Sequence, residues 1–208
     1  MDEFFKNFTS DQIRFYLASI APETSDSDFI WQDFQNCANA LLLGKLGNFV
    51  HRTLVFAKNK CGGIVPPAHD FDELDKTFLK DITLLVNQID LAYEHFHLRK
   101  AASLIMELAQ KGNTYFDAKK PWVLAKDSAL HTAMKTTIAL CLVCIKKLAL
   151  VSLPIIPQTA QKIWEFLGYD TELAKEHWEE VQREPLPEGQ KLKEPQVLFT
   201  KVESIPAS

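Results

Sequence analysis

The stretch "GNFVHRT" carries Asn48 and Arg52 four residues apart. On a helix that spacing is one turn, so a carboxamide and a planar guanidinium project from the same side and can converge on one hydrogen-bonding edge, as reading a nucleobase requires. A second stretch, "KKPWVLAK", sets Trp122 directly after Pro121, with Lys119, Lys120 and Lys126 around it. A flat ring among cations can stack an unpaired base while the lysines hold phosphate, a chemistry suited to single-stranded nucleic acid. Between residues 41 and 69 no side chain is acidic, whereas Lys45, Arg52, Lys58 and Lys60 are basic, which offers phosphate a locally positive field. The candidate phosphate contacts are Lys45, Lys119, Lys120 and Lys126.

The same residues have plainer readings. Asn48 and Arg52 can lie on a solvated helix face with Arg52 paired to an acid elsewhere, and Trp122 can plug the open end of a bundle. The C-x-x-C of Cys141 and Cys144 lies inside an apolar helical run with no second ligand pair, which reads as core packing rather than zinc or redox chemistry. His95 and His97 stand two apart and share no helix face, so they read as surface residues. No catalytic constellation is visible: the one glycine pair, Gly62 and Gly63, does not follow a strand, and no nucleophile–base arrangement suggests itself.

These side chains need rigid elements to hold them. Glycine is sparse, with 7 in the chain, and apolar residues recur at helical spacing while strand-like alternation is almost absent, so the sequence reads as an all-α antiparallel helix bundle. Residues 10–21 make a first helix with Ser10 as N-cap and Pro22 past its end. From about 28 to 59 the pattern runs as one long helix, interrupted only by Gly44 and Gly47. It turns Leu42, Leu46, Phe49 and Phe56 to the core and Lys45, Asn48, Arg52 and Asn59 to a neighbouring stripe. The segment "KCGGIVPPAHD" ends it. Further helices run over 71–94, 97–120, 128–153 and from Pro157 to a stop at Gly168; the acidic, proline-punctuated remainder reads as a short helix and an extended tail over the bundle. Pro121 stops the fourth of these helices, so Trp122 is expected at a helix end rather than inside one.

The 208 residues suffice for one sizeable core with appendages. A net charge of −4 means that any nucleic-acid contact must rest on local patches. Four scattered cysteines and no secretory signal fit free thiols and a cytoplasmic location. The longest apolar run is broken by Lys146 and Lys147, which argues against a membrane span.

Together the phrases "DQIRFYLAS", "DSDFIWQDFQNCANALLLGKLGNFVHRTL", "KKPWVLAK", "PIIPQTAQKIWEFLG" and "LFTKVE" resemble, in order, the C-terminal helical region of the methionyl-tRNA synthetases, which are class I aminoacyl-tRNA ligases. The resemblance implies an anticodon-binding domain in which Asn48, Arg52, Trp122 and Pro121 bind RNA: the tryptophan stacks on the CAU anticodon, whose first base is cytosine, and the polar pair reads base edges. It implies three parts: residues 1–27 as a junction after a catalytic domain, 28–168 as the anticodon-binding bundle, and 169–208 as a C-terminal helix and tail. The family's "HIGH" and "KMSKS" signatures have no counterpart here, so the chain is expected to be a piece of a longer ligase, not itself an enzyme. ATP, and zinc where it occurs, would then belong to the absent catalytic half, with no cofactor in this piece. The implied partners are the anticodon stem-loop of methionine tRNA and the parent's own catalytic domain. Two alternatives stay open: the anticodon domain of a related class I synthetase, and a helical module whose basic stripe docks an acidic protein.

Overall fold

Thr9 starts the first helix. Its Oγ1 accepts the Gln12 N–H at 3.3 Å while Gln12 Oε1 accepts the Thr9 N–H at 2.9 Å, a reciprocal cap for α1 (Ser10–Ser19). Ser10, expected as the cap, lies one residue inside, because only Thr9 stands three before a glutamine able to answer it. The computed structural model describes residues 8–23 and 26–203.

The long rod begins at α2 (Trp31–Asn36) and continues without a break to α3 (Asn48–Lys60). Between them Cys37–Gly47 winds as a π-helix, a departure from the single α-helix expected. Its last bond runs from the Asn48 N–H to the Leu43 carbonyl, five residues back, so Asn48 stands at the point where α winding resumes. A β-carbon on Gly44 or Gly47 would meet a carbonyl five residues back at 3.1 and 3.2 Å, so the wider winding favours glycine at both.

Asp72 caps α4 (Glu73–Glu94), trading bonds with the Asp75 backbone and side chain at 2.9 and 3.0 Å. A three-residue turn returns the chain antiparallel into α5 (Leu98–Lys119). After the one-turn helix α6 (Pro121–Leu124), a 3-10 turn leads into α7 (His131–Ser152), which is buried along most of its length. Packing against α3, α4, α5, α6, α8 and α9 explains why α7 is apolar nearly all round. The last helices are α8 (Pro157–Phe166) and α9 (Trp178–Arg183).

Leu42, Leu46 and Phe49 are fully buried as expected; Phe56 is half-buried, edge-on to Phe116 at 6.0 Å. Cys141 and Cys144 are free, buried thiols, and burial pushes both well above the usual thiol range. His95 and His97 are exposed. Phe15 and Tyr16 of α1 share the core with α5, so this helix is packed on the bundle; residues 1–7 and 24–25 lie outside the described residues. The tail crosses back over the π-helical stretch, where the Asn39 carboxamide donates to the Val202 carbonyl at 2.9 Å and accepts its N–H at 2.8 Å. Among the described residues the only β-type pairing is the isolated bridge Ile64–Lys191, and no helix is long and apolar enough to cross a membrane.

Candidate functional site

The site grows from one close helix crossing. A β-carbon at Gly112 of α5 would fall 2.3 Å from the Phe49 ring, so only glycine lets that ring lie against the α5 backbone. Next to this contact Asn48 Nδ2 donates to Asn113 Oδ1 at 3.3 Å, and one turn on, the Arg52 guanidinium donates to Asp117 Oδ1 at 2.6 Å. Asn113 is itself fixed, its Nδ2 donating to the carbonyls of Lys45 and Ala109, each at 3.1 Å. The Arg52 guanidinium also lies 4.2 Å above the centroid of the Phe116 ring, a cation–π contact that holds its plane. The ion pair and the ring together leave Arg52 little rotamer freedom.

Trp122 reaches the same place from the end of α5. Lys120 takes left-handed φ/ψ of 46° and 58°, which turns the chain sharply and costs a non-glycine residue about 1–2 kcal/mol. Pro121, buried, then opens α6, so Trp122 sits within a one-turn helix rather than past a bare helix end as expected. Its ring packs on Phe116 with centroids 6.0 Å apart and planes 32° apart, and the residue remains 41% exposed. Phe116, itself buried, therefore touches both Arg52 and Trp122 and sets them at one corner of the bundle.

At the end of α5 lies an ionic network in which Asp75 is buried and Asp72 exposed. Lys119 pairs with Asp72 at 2.7 Å and with Asp75 at 2.8 Å, and the Tyr115 hydroxyl donates to Asp75 Oδ1 at 2.6 Å. Burial, and then the Asp75 carboxylate, push the Tyr115 hydroxyl far above its usual range, so it stays a donor. Lys119, expected among the phosphate contacts, has a side chain 8% exposed and paired with both carboxylates. Lys120 and Lys126 are exposed beside the ring, whereas Lys45 lines a separate groove between α1, the π-helical stretch and α5. The positive field expected along the rod is weaker than its acid-free sequence suggests, because Asp117 pairs with Arg52 and Glu194 with Lys58.

Comparison with known proteins gives the family. Residues 65–205 match the family described as the anticodon binding domain of methionyl tRNA ligase. The chain belongs to that family. Residues 1–54 match the model of tRNA synthetases class I (M). The site thus takes Asn48 and Arg52 from one matched region of the methionyl-tRNA ligase chain, and Asn113, Phe116, Asp117 and Trp122 from the other.

Methionine–tRNA ligase of Protochlamydia amoebophila is 52% identical over 204 residues, 98% of this chain and 29% of the relative. That of Chlamydia pneumoniae is 39% identical over 98% of this chain and 38% of its own length. The chain therefore spans well under half of these ligases. The crystal structure of apo Mycobacterium tuberculosis methionyl-tRNA synthetase shares the fold with a TM-score of 0.88 at 23% identity, over 98% of this chain and 41% of that one.

Three residues of this candidate site escaped the sequence reading: Asn113, Phe116 and Asp117. The signal was present, since "NTYFD" repeats on α5 the four-residue spacing of Asn48 and Arg52, and an asparagine in an apolar stripe needs a polar partner. Among the described residues no group of three or more His, Cys, Asp or Glu is arranged to hold a metal ion.

Proposed function

We propose that this domain selects methionine tRNA by its CAU anticodon, with the first base stacked on Trp122 and its edge read by Arg52 and Asn48. The observation that carries the proposal is the exposed Trp122 ring, which rests on the same phenylalanine that holds the Arg52 guanidinium. The Arg52–Asp117 pair sets a donor beside an acceptor. Cytosine offers an amino donor next to ring acceptors, and so complements such a pair; uracil puts a carbonyl where the amino group stands and would face the carboxylate. Asn48 spends one amide hydrogen on Asn113, which leaves its other hydrogen and its carbonyl for a ligand.

Stacking contributes about 1–3 kcal/mol per base and a matched base edge about as much again. Lys120 and Lys126 supply a salt-sensitive share through phosphate. In the longer ligase this recognition would precede the ATP-dependent joining of methionine to tRNA, chemistry for which ATP, and zinc where it occurs, would be held outside this chain.

The test compares Trp122→Ala with Trp178→Ala. Trp178 packs against Tyr93, eighteen residues along α4 from Asp75 and thus about 27 Å away along the helix. Trp122→Ala is expected to weaken binding of a CAU anticodon stem-loop roughly 5- to 150-fold and to erase preference over a UAU loop. Trp178→Ala should leave both unchanged. Equal losses in the two variants, or no preference in the unaltered chain, would sink the proposal.

A further inference from the structure

Two helices of the bundle start without a cap of their own. Neither His97 before α5 nor Ile156 before α8 offers a side chain to the first turn, and both turns are closed from the N-terminal segment instead. Asp11 of α1 accepts the N–H of Thr159, in the first turn of α8, at 2.6 Å. Glu23, just past α1, accepts the N–H of Arg99, in the first turn of α5, also at 2.6 Å. Each carboxylate thus satisfies a donor that the helix itself leaves unpaired, and each faces the positive end of a helix dipole. Between them Arg14 donates to the Ile155 carbonyl at 2.8 Å and to the Pro154 carbonyl at 2.9 Å, both in the turn that joins α7 to α8. The Tyr16 hydroxyl donates to the Ile30 carbonyl at 3.1 Å and accepts the Ile30 N–H at 3.2 Å, where the rod begins.

Asp11 is the costly member of this set. It is 1% exposed, and its second oxygen, Oδ1, has no hydrogen-bond partner among the described residues. An apolar side chain would fill the place without losing that hydrogen bond on folding. It would not fix direction, because apolar contact is non-directional whereas a hydrogen bond to a helix end is made at one distance and angle. We infer that Asp11 and Arg14 are positioning residues of the ligase, which fix the direction of α1 on the bundle and so hold the catalytic half at a set distance from the anticodon surface. The inference rests on the anticodon reading above and on residues 1–27 acting as the junction to that half. The bonds from α1 and Glu23 grip the near ends of both elements that carry the RNA surface. One is the rod at Ile30; the other is α5 at Arg99, eighteen residues and about 27 Å along the helix from Asp117. A tRNA held by its anticodon brings its far end to a reacting centre only if that span is kept, and a misplacement of about 1 Å at such a centre costs about 100-fold in rate.

The test uses the full ligase that contains this chain, with Asp11→Ala, Asp11→Asn and Arg14→Ala. Three quantities are measured: methionyl-adenylate formation without tRNA, binding of a CAU stem-loop, and methionylation of full-length methionine tRNA. Both alanine variants are expected to keep the first two unchanged and to lower kcat for methionylation about 10- to 100-fold, with KM little altered because the anticodon is still held. Asp11→Asn, which keeps an oxygen acceptor for the Thr159 N–H, should recover most of the rate. Thermal melts check folding, and if Asp11→Ala is unfolded, Arg14→Ala, altered at an exposed residue, carries the comparison. Full methionylation by the folded variants would leave the bonds a role in stability alone and overturn the inference. An equal loss in adenylate formation or in stem-loop binding would also overturn it, since the damage would then lie in one half rather than in their spacing. If the unaltered ligase binds CAU and UAU loops alike, the anticodon reading fails, a result that does not depend on the variants.

Discussion

Trp164 is 3% exposed and stacks on Tyr169 with ring centroids 3.6 Å apart and planes 4° apart, whereas Trp122 is 41% exposed and merely tilts against Phe116 at 6.0 Å. The indole N–H of Trp164 is also spent, donating to Thr171 Oγ1 at 3.1 Å, and the buried Lys146 ammonium lies 6.0 Å from its ring. Every binding capacity of one tryptophan is used inside the fold. The other keeps a face open and rests on a buried phenylalanine, next in the chain to a buried proline. A stacking face exists for a ligand only where the protein has stopped short of filling it.

The largest expected effect breaks the comparison outright. Trp164→Ala removes a fully packed aromatic and should cost about 3–5 kcal/mol of stability. Trp122→Ala should cost no more than about 1 kcal/mol while it weakens RNA binding. Chemical denaturation of both variants measures the difference; equal losses of stability would mean that Trp122 is a core residue after all.

Next in size is the ionic network at the end of α5. Asp75→Ala removes the carboxylate that Tyr115 and Lys119 share in a site where Asp75 is almost fully buried, and breaking such a pair costs on the order of 3 kcal/mol. Because the same carboxylate closes the cap of α4 and anchors the last turn of α5, RNA binding should fall along with stability. A variant that unfolds more easily yet binds RNA as before would show that the network is structural only.

The helices were legible in the sequence because apolar spacing reports them directly, as did the core role of Leu42, Leu46 and Phe49. So were the two segments of the candidate surface, since Asn48 and Arg52 at one turn and Trp122 after proline are local patterns. Partners that lie far apart in the chain were not legible. Arg52 and Asp117 stand 65 residues apart, and the helix crossing at Gly112 and Phe49 brings them together. A separation of 47 residues likewise hid the pairing of Lys119 with Asp72. The π winding before Asn48 left only two glycines as its mark, and glycine has too many other uses to announce it.

The smallest effect separates the two tryptophan regions by pH. At the Trp122 end, the Lys119 hydrogen bond chiefly holds the Asp72 carboxyl below its ordinary 3.8, against a smaller opposing effect of burial. A lowered carboxyl stabilises the fold above its ordinary value and loses that contribution as pH falls through the folded value. The stability gap between the unaltered chain and Asp72→Asn should therefore stay flat through neutral pH and close below about pH 3.8. At the Trp164 end the sign is reversed, because burial lowers Lys146 from 10.5. Folding there penalises the charged lysine, so the unaltered chain should gain stability relative to Lys146→Met as pH climbs toward 10.5. Melting curves of the three proteins across pH would show one gap closing in acid and the other shifting in alkali; two gaps moving in the same range would mean that the two regions do not differ electrostatically.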